Sequence, residues 1–412
     1  MKQVSPFSLI IMKGVYKKFI MLTLLFLPFV LFGQVNERQT GDTSYYKTLI
    51  PEEKQGLLKN MSMIANMRFA QRNEFQDGDY TKSRFVNEQF RLEIKGKVHE
   101  KVYFRFRDRY TRAQTSESVD NLSRSVDLAY IRVDVSNTFS IYGGKLCADW
   151  GGIEFDMNPI DIYEYSDIVE YADNFLTGVG FSWQAAKNHQ FTIQALDSRT
   201  KTFNELYGSQ PNLQESKAPL AFVANWRGSL FDGKLNTIWS YARHNEALDT
   251  LNNEQVGMDY IALGNQLKLG KFTVEYDYKQ SNEDLDRTTI VSETVPDNLY
   301  PFALRNTVYT SHWFHLYYRV SPKVNLALIG MVDYAKYKDD IDPQKTSDDI
   351  RTAYGFIPTI EFFPYKDLNL RFYANFVGRN YEYSDYAKTR FGAKDYSTGR
   401  FSVGFVTPLG IF

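Results

Sequence analysis

Arginines recur at every second position of the segment VYFRFRDRYTR, as Arg105, Arg107 and Arg109. Alternate residues of a β-strand point to the same face, so three guanidinium groups would stack along one side of a strand. A guanidinium is permanently charged, and its fork of donors matches phosphate and carboxylate groups. The spacing therefore predicts either a ladder that attracts anions or a set of arginines paired with inward carboxylates such as Glu93 and Asp134.

The same alternation places further side chains on the polar faces of their strands. An arginine facing lipid near the bilayer midplane would cost about 2–4 kcal/mol, so in a membrane barrel these side chains must point inward. We predict that the pore is lined by Tyr103, Arg91, Arg105, Arg107, Arg109, Arg132 and Arg371, and Arg68 and Arg379 follow the same rule.

A long acidic segment, DWGGIEFDMNPIDIYEYSDIVEYAD, covers residues 149–173 and contains eight carboxylates but no lysine or arginine. A loop this long is seldom a passive turn, and its many aromatic and aliphatic side chains favour burial. We expect it to fold into the lumen and narrow the pore, with its carboxylates facing the inward arginines across the channel. A solvated surface loop is the alternative, and a calcium site is disfavoured because no twelve-residue calcium-loop pattern occurs. The predicted constriction residues are Asp149, Glu154, Asp156, Asp161, Glu164 and Asp167, and Glu170 and Asp173 belong to the same run.

Residues for enzymatic or metal chemistry are sparse. No GxSxG, HExxH, CxxC or phosphate-loop pattern occurs among the 412 residues. His312 and His315 would face opposite sides of one strand and so would not share a metal ion. Cys147 is the single cysteine, which excludes an intrachain disulfide and favours a packed thiol over a nucleophile. We therefore predict a non-enzymatic protein without a cofactor or metal site.

Short segments with period-two alternation are the elements that would position these side chains. In FTVEYDYK, for example, Phe272 and Tyr276 share one face while Glu275 and Lys279 share the other. We count sixteen such segments between about residue 60 and the C-terminus, and no 18-residue apolar run follows the N-terminal segment.

The connections between these segments alternate between seven short and eight long ones. Long connections are predicted near residues 73–81 and 245–256, among others, and a short one at 364–366. Short periplasmic turns and long outer loops are typical of outer-membrane barrels, whereas a soluble sandwich has no reason to alternate. We predict an all-β fold, a 16-stranded antiparallel transmembrane β-barrel with an infolded third loop.

Composition and the N-terminus agree with export to a membrane. Aromatic residues make up 16% of the chain, and girdles of aromatic residues flank the apolar band of membrane barrels. A soluble β-rich protein would also be rich in Phe and Tyr, because these residues favour strands. The net charge of −1 gives no reason to expect nucleic acid as a partner. Lys13, Lys17 and Lys18 precede the apolar run FIMLTLLFLPFVLF, which is typical of a secretory signal peptide. The predicted division is a signal peptide at 1–33, with Met1 or Met12 as the start, a periplasmic extension at 34–58 and a barrel at 59–412.

The segment GGKLCADWGGIEFDMNPIDIYEYSD, followed by DNFLTGVGF, resembles the phosphate-selective porin family, the porins O and P. The resemblance extends from about residue 60 to Phe412 and is strongest from Ile141 to Phe181. It implies a sixteen-stranded, trimeric outer-membrane porin with an infolded third loop. Phosphate-selective members carry an arginine ladder, which the three arginines of VYFRFRDRYTR resemble. The acidic third loop departs from the basic constriction of those members.

These observations predict an outer-membrane porin for passive diffusion of small polar solutes, with a preference for anions such as phosphate. A nonspecific or cation-preferring pore governed by the acidic loop is one alternative, and a closed binding or adhesin barrel is another. The expected partners are outer-membrane lipid, small polar or anionic solutes and further copies of the chain in a homotrimer. The final residue, Phe412, agrees with the C-terminal aromatic found in many outer-membrane barrels.

Overall fold

The computed structural model describes residues 60–296, 299–300, 302–339 and 342–411. The predicted signal peptide, the periplasmic extension and Phe412 lie outside the described residues. No helix in the described part of the chain is long and apolar enough to cross a membrane.

Sixteen long antiparallel strands form one closed sheet in chain order, which confirms the predicted barrel. The first strand closes the barrel by pairing with the last, with Ile64 opposite Gly410 and Gln76 opposite Thr398. A short additional strand, β8, extends the sheet within a loop by pairing with β10. The strands are β1 (Met61–Gln76), β2 (Asp79–His99), β3 (Val102–Arg109), β4 (Val126–Asp134), β5 (Phe139–Cys147), β6 (Phe175–Ala186), β7 (His189–Asp197), β8 (Leu213–Glu215), β9 (Leu220–Leu230), β10 (Leu235–Asp249), β11 (Glu254–Leu269), β12 (Phe272–Leu285), β13 (Arg305–Ser321), β14 (Val324–Tyr337), β15 (Asp349–Phe362), β16 (Arg371–Tyr383) and β17 (Tyr396–Gly410).

The strands alternate between an exposed apolar face and a buried polar face. On β12, Phe272 and Tyr276 are exposed, while Glu275, Asp277 and Lys279 are buried. Exposed apolar side chains recur around the barrel at the outward positions, where they would contact lipid. The interior therefore receives most of the charged side chains of the strands.

Three connections depart from the predicted division into long and short ones. The predicted long connection at 73–81 is a two-residue turn, Asp77–Gly78, with φ angles of 52° and 89°. The predicted long connection at 245–256 is reduced to residues 250–253, and the predicted short one at 364–366 spans residues 363–370. The first two connections are shorter than predicted because the strands continue to pair through polar segments that the pattern assigned to loops. This applies to the pair β1 and β2 and to the pair β10 and β11.

The remaining long connections lie at the end of the barrel opposite to the described chain ends, and four of them contain short helices in the described residues. These helices are α1 (Ile153–Asp156), α2 (Asp167–Tyr171), α3 (Phe203–Tyr207), α4 (Ile290–Thr294) and α5 (Asp385–Phe391), and a 3₁₀ helix spans Pro159–Asp161. The largest apolar cluster joins side chains from α2, α4 and α5 to inward side chains of the strands. The loops therefore fill part of the barrel interior.

Candidate functional site

Residues 148–174, here called the third loop, connect β5 to β6 and lie inside the barrel. Ile153 and Ile160 of the loop belong to an apolar cluster with Trp313 and Ile357 of the barrel wall. The backbone of the loop also approaches β11 closely at Gly264. A Cβ at Gly264 would lie 2.6 Å from the Ile153 nitrogen, so only glycine fits at this position without a shift. Apolar burial therefore holds one face of the loop against the β10–β17 wall.

A buried ion pair fixes the start of the third loop. Glu154 of α1 pairs with Lys279 of β12, and both side chains are fully buried. The carboxylate of Glu154 also accepts hydrogen bonds from the backbone nitrogen and hydroxyl of Ser166, at 2.7 and 2.6 Å. The carboxylate of Asp277 accepts hydrogen bonds from the backbone N–H groups of Ile153 and Glu154, each at 2.9 Å. We call this arrangement the Glu154–Lys279 latch.

Further ion pairs fix the rest of the loop to the barrel. The pairs of Asp161, Asp167 and Glu164 join it to the same wall, whereas those of Asp149 and Asp156 join it to Arg227 of β9. Asp161 pairs with Arg371 of β16, which also contacts Glu361 at 2.7 Å. Asp167 of α2 pairs with Arg351 of β15 and, at 2.6 Å, with Arg379 of β16. The remaining pairs are Glu164 with Arg400 at 3.2 Å, and Asp149 and Asp156 with Arg227 at 2.7 and 2.8 Å.

These contacts correct the expectation that the loop carboxylates face the inward arginines across the channel. The carboxylates of Glu154, Asp161 and Asp167 instead neutralise cations of the wall behind the loop. Arg371, which we predicted to line the pore, is one of these partners and lies behind the loop. Pairing is favoured because a buried carboxylate without a counter-charge would be strongly destabilising.

A cavity of about 920 Å³ lies between the third loop and the opposite wall, formed by β1–β7 and β9. Within the described part of the chain, its lining includes ten arginines but only five carboxylates. The lining therefore carries an excess of positive charge. The arginines are Arg68, Arg72, Arg91, Arg105, Arg107, Arg109, Arg112, Arg132, Arg227 and Arg400, and the carboxylates are Glu88, Asp149, Asp156, Glu164 and Glu170.

The arginines of β2 and β3 share two buried carboxylates. Asp127 of β4 is fully buried and forms ion pairs with three arginines, Arg91 at 3.4 Å, Arg107 at 3.2 Å and Arg109 at 2.7 Å. Glu93 is similarly shared, with Arg105 at 3.1 Å as a close partner. Cations outnumber carboxylates in both groups, so pairing does not cancel the positive charge.

Sequence alternation did not identify Asp127 as an interior residue. With Arg132 facing inward, strict alternation along β4 places the odd-numbered residues, including Asp127, on the outer face. A register shift opposite Arg107 and Asp108 marks a β-bulge, which turns Asp127 to the interior. Lys279 was assigned to the polar face of β12, which by the same alternation includes Asp277, but the pattern contained no signal for the contact of either side chain with the loop. The pattern likewise gave no signal that the third loop would contact Arg227, Arg351 and Arg400.

Solvent exposure separates the arginines of β2, β3 and β4. The Arg105 and Arg132 side chains are 31% and 38% exposed, whereas Arg107 and Arg91 are 11% and 3% exposed. The guanidinium of Arg132 lies 4.8 Å from the ring centre of Tyr103, which therefore supports this arginine. Arg105 and Arg132 are thus the more accessible members of the set.

Comparison with known proteins identifies the family. The model of the family described as phosphate-selective porin O and P matches residues 66–405. The chain belongs to this family. The protein is therefore an outer-membrane channel rather than an enzyme. No curated protein sequence matches the chain.

Solved structures of outer-membrane channels share the fold. The chain is similar to the outer membrane channel DcaP of Acinetobacter baumannii, with a TM-score of 0.59 and 12% identity, over 85% of this chain and 97% of that one. An anion-selective porin from Comamonas acidovorans gives a TM-score of 0.55 and 10% identity, over 85% and 99% of the two chains. OmpF of Salmonella typhi, in complex with daunomycin, gives a TM-score of 0.52 and 11% identity, over 84% of this chain and 98% of that one. At these identities the similarity extends to the fold alone.

Proposed function

We propose that the protein is a porin through which small polar solutes diffuse passively, with a preference for anions. The excess of arginines over carboxylates in the cavity lining carries this proposal. Basic side chains around a pore lower the electrostatic barrier for anions and raise it for cations. The third loop offsets this charge only in part. Its residues Glu154, Asp161 and Asp167 are paired with cations outside the cavity lining, whereas Asp149, Asp156 and Glu164 pair with two of the lining arginines, Arg227 and Arg400.

We also assign the constriction of the pore to the third loop. The loop occupies the interior beside β10–β17, so solutes would pass between it and the arginines of β2–β4. In this arrangement Glu164 and Glu170 face the passage, while Glu154 and Asp167 serve as anchors. The arginines most accessible to a passing anion are Arg105 and Arg132.

The reversal potential of the purified protein in a planar bilayer under a salt gradient tests the anion preference. We expect the sign of an anion-selective pore, and Arg105→Gln should reduce the magnitude because it removes an accessible charge. Arg243→Gln is the matched control, since Arg243 pairs at 2.5 Å with Asp259 and lies outside the cavity lining. A cation-selective sign would refute the proposal, and absence of conductance would favour a closed binding barrel.

We further propose that the channel assembles as a homotrimer, as its family resemblance implies. The broad apolar outer surface of the strands could serve both lipid and neighbouring copies. The molar mass of the protein component, measured by light scattering in detergent, should be three times that of one chain. A monomeric mass would contradict this proposal.

A further inference from the structure

Two tyrosines adjoin the accessible arginines on the wall of the cavity. Tyr130 of β4 lies directly opposite Arg105 of β3, and Tyr142 of β5 lies directly opposite Arg132 of β4. All four side chains line the cavity. Arginine and tyrosine therefore alternate across three neighbouring strands, at a level where the arginines are better exposed than those around Asp127.

The ring of Tyr142 lies across the neighbouring strand. A Cβ at Gly180 of β6 would be 2.3 Å from two of the ring carbons, so the ring occupies the space that a side chain would take there. Gln194 of β7 donates a long hydrogen bond of 3.5 Å to the Tyr142 hydroxyl. The centroids of Tyr130 and Tyr142 are 6.3 Å apart and their planes are tilted by 53°, so the two rings adjoin each other on the wall.

Uncharged polar side chains lie next to these rings, and one of them, Ser140, donates a hydrogen bond to Asp134 at 2.8 Å. Ser140, Ser182, Gln190 and Thr192 line the same part of the cavity. Gln190 donates to the Ser182 hydroxyl at 2.6 Å, which leaves the amide oxygen of Gln190 and the hydroxyl proton of Ser182 for other partners. Hydroxyl and amide groups match a solute rich in hydroxyl groups better than they match an apolar one.

Each accessible arginine also retains unused donors. Arg105 makes one hydrogen bond to Glu93, at 3.1 Å, and the Nε atom of Arg132 lies 3.0 Å from Asp134. A guanidinium has five N–H donors, so both groups can bind an oxyanion without losing these contacts. The site thus combines an anion-binding edge, an aromatic face and neutral hydrogen-bonding groups.

We propose that Arg105, Arg132, Tyr130 and Tyr142 form a binding site for phosphorylated sugars on the permeation path. This inference rests on the proposed anion-preferring channel and specifies its substrate class. The phosphate group binds to the two guanidiniums, and the sugar ring places its C–H groups on the tyrosine faces, whose π-electrons are negative. The sugar hydroxyls contact the neighbouring serine, threonine and glutamine side chains.

The test compares ligands that block single-channel chloride current in a planar bilayer. Glucose 6-phosphate, inorganic phosphate and phenyl phosphate are each titrated at the same pH and ionic strength. For the wild-type channel, we expect glucose 6-phosphate to half-block the current at a concentration roughly threefold to tenfold below that of inorganic phosphate, as aromatic stacking of ordinary strength would give. Equal half-blocking concentrations for these two ligands would overturn the proposal.

The double substitution Tyr130→Leu and Tyr142→Leu removes both rings but leaves the arginines. It should raise the half-blocking concentration of glucose 6-phosphate and leave that of inorganic phosphate unchanged. The matched control, Tyr130→Phe and Tyr142→Phe, keeps the rings and should retain most of the preference for glucose 6-phosphate. An equal effect of the leucine variant on both ligands would overturn the proposal, as would tighter block by phenyl phosphate than by glucose 6-phosphate.

The reversal potential separates this proposal from the proposed function. An anion-selective potential without preferential block by glucose 6-phosphate would overturn the sugar phosphate site alone. A cation-selective potential would instead refute the anion preference on which the site rests.

Discussion

The Glu154–Lys279 latch offers a direct test of how the third loop is held. In Lys279→Met, the ammonium is replaced by an apolar group of similar length, next to the ring of Trp313. Glu154 and Asp277 would then both remain buried without a close cation. Asp277 retains two backbone hydrogen bonds, so Glu154 should be affected more strongly.

The expected size of the effect follows from the burial of the pair. Removing one partner of a buried ion pair destabilises a structure by about 3–5 kcal/mol, because the other charge is left uncompensated. Applied to docking of α1, this lowers the ratio of docked to undocked loop by roughly a hundredfold to several thousandfold. Asp167 remains bound to Arg351 and Arg379, so the α2 end of the loop should stay attached.

Single-channel recording measures the consequence. We expect Lys279→Met to show larger open-state current fluctuations and a higher mean conductance than the wild type. The control is Lys336→Met, since Lys336 forms an exposed pair with Asp349 at 3.0 Å, and such pairs contribute only about 0–1 kcal/mol. Adding Glu154→Gln to Lys279→Met should partly restore the wild-type current, because no uncompensated carboxylate remains at position 154. Currents of Lys279→Met that match those of Lys336→Met would refute the role of the latch.

Three further predictions concern the loop. Deletion of residues 152–170 should increase single-channel conductance sharply, and an unchanged conductance would exclude the loop as the constriction. Gly264→Ala should displace α1 and increase current fluctuations without any change in charge, because the new Cβ would lie 2.6 Å from the Ile153 nitrogen. If the current of this variant fluctuated no more than that of the wild type, the packing of α1 against Gly264 would be contradicted. Glu170 is exposed to the cavity, but partial desolvation inside the barrel and the neighbouring carboxylates raise its pKa. As the pH falls through this raised pKa, the carboxylate becomes neutral and the reversal potential should become more anion-selective, and Glu170→Gln should abolish this step.

The sequence alone predicted the barrel and the side of the wall on which most charged residues lie. These features follow from local rules, since alternation assigns each strand residue to one of two faces and lipid excludes arginine from the outer face. Arg105 and Arg132 could therefore be assigned to the interior without knowledge of any contact. The length of the third loop and its apolar content also predicted that it would be buried.

Only the tertiary structure decided which charges pair with each other. Asp161 and Asp167 meet arginines more than 180 residues away in the chain, and no local pattern encodes which wall of a barrel a loop will contact. The bulge that turns Asp127 inward breaks the alternation on which the prediction relied. The sequence therefore determined which charges enter the interior, whereas the docking of the loop determined which of them remain to act on a solute. The physical reason is that orientation on a strand is a local property, whereas charge neutralisation depends on contacts between distant segments.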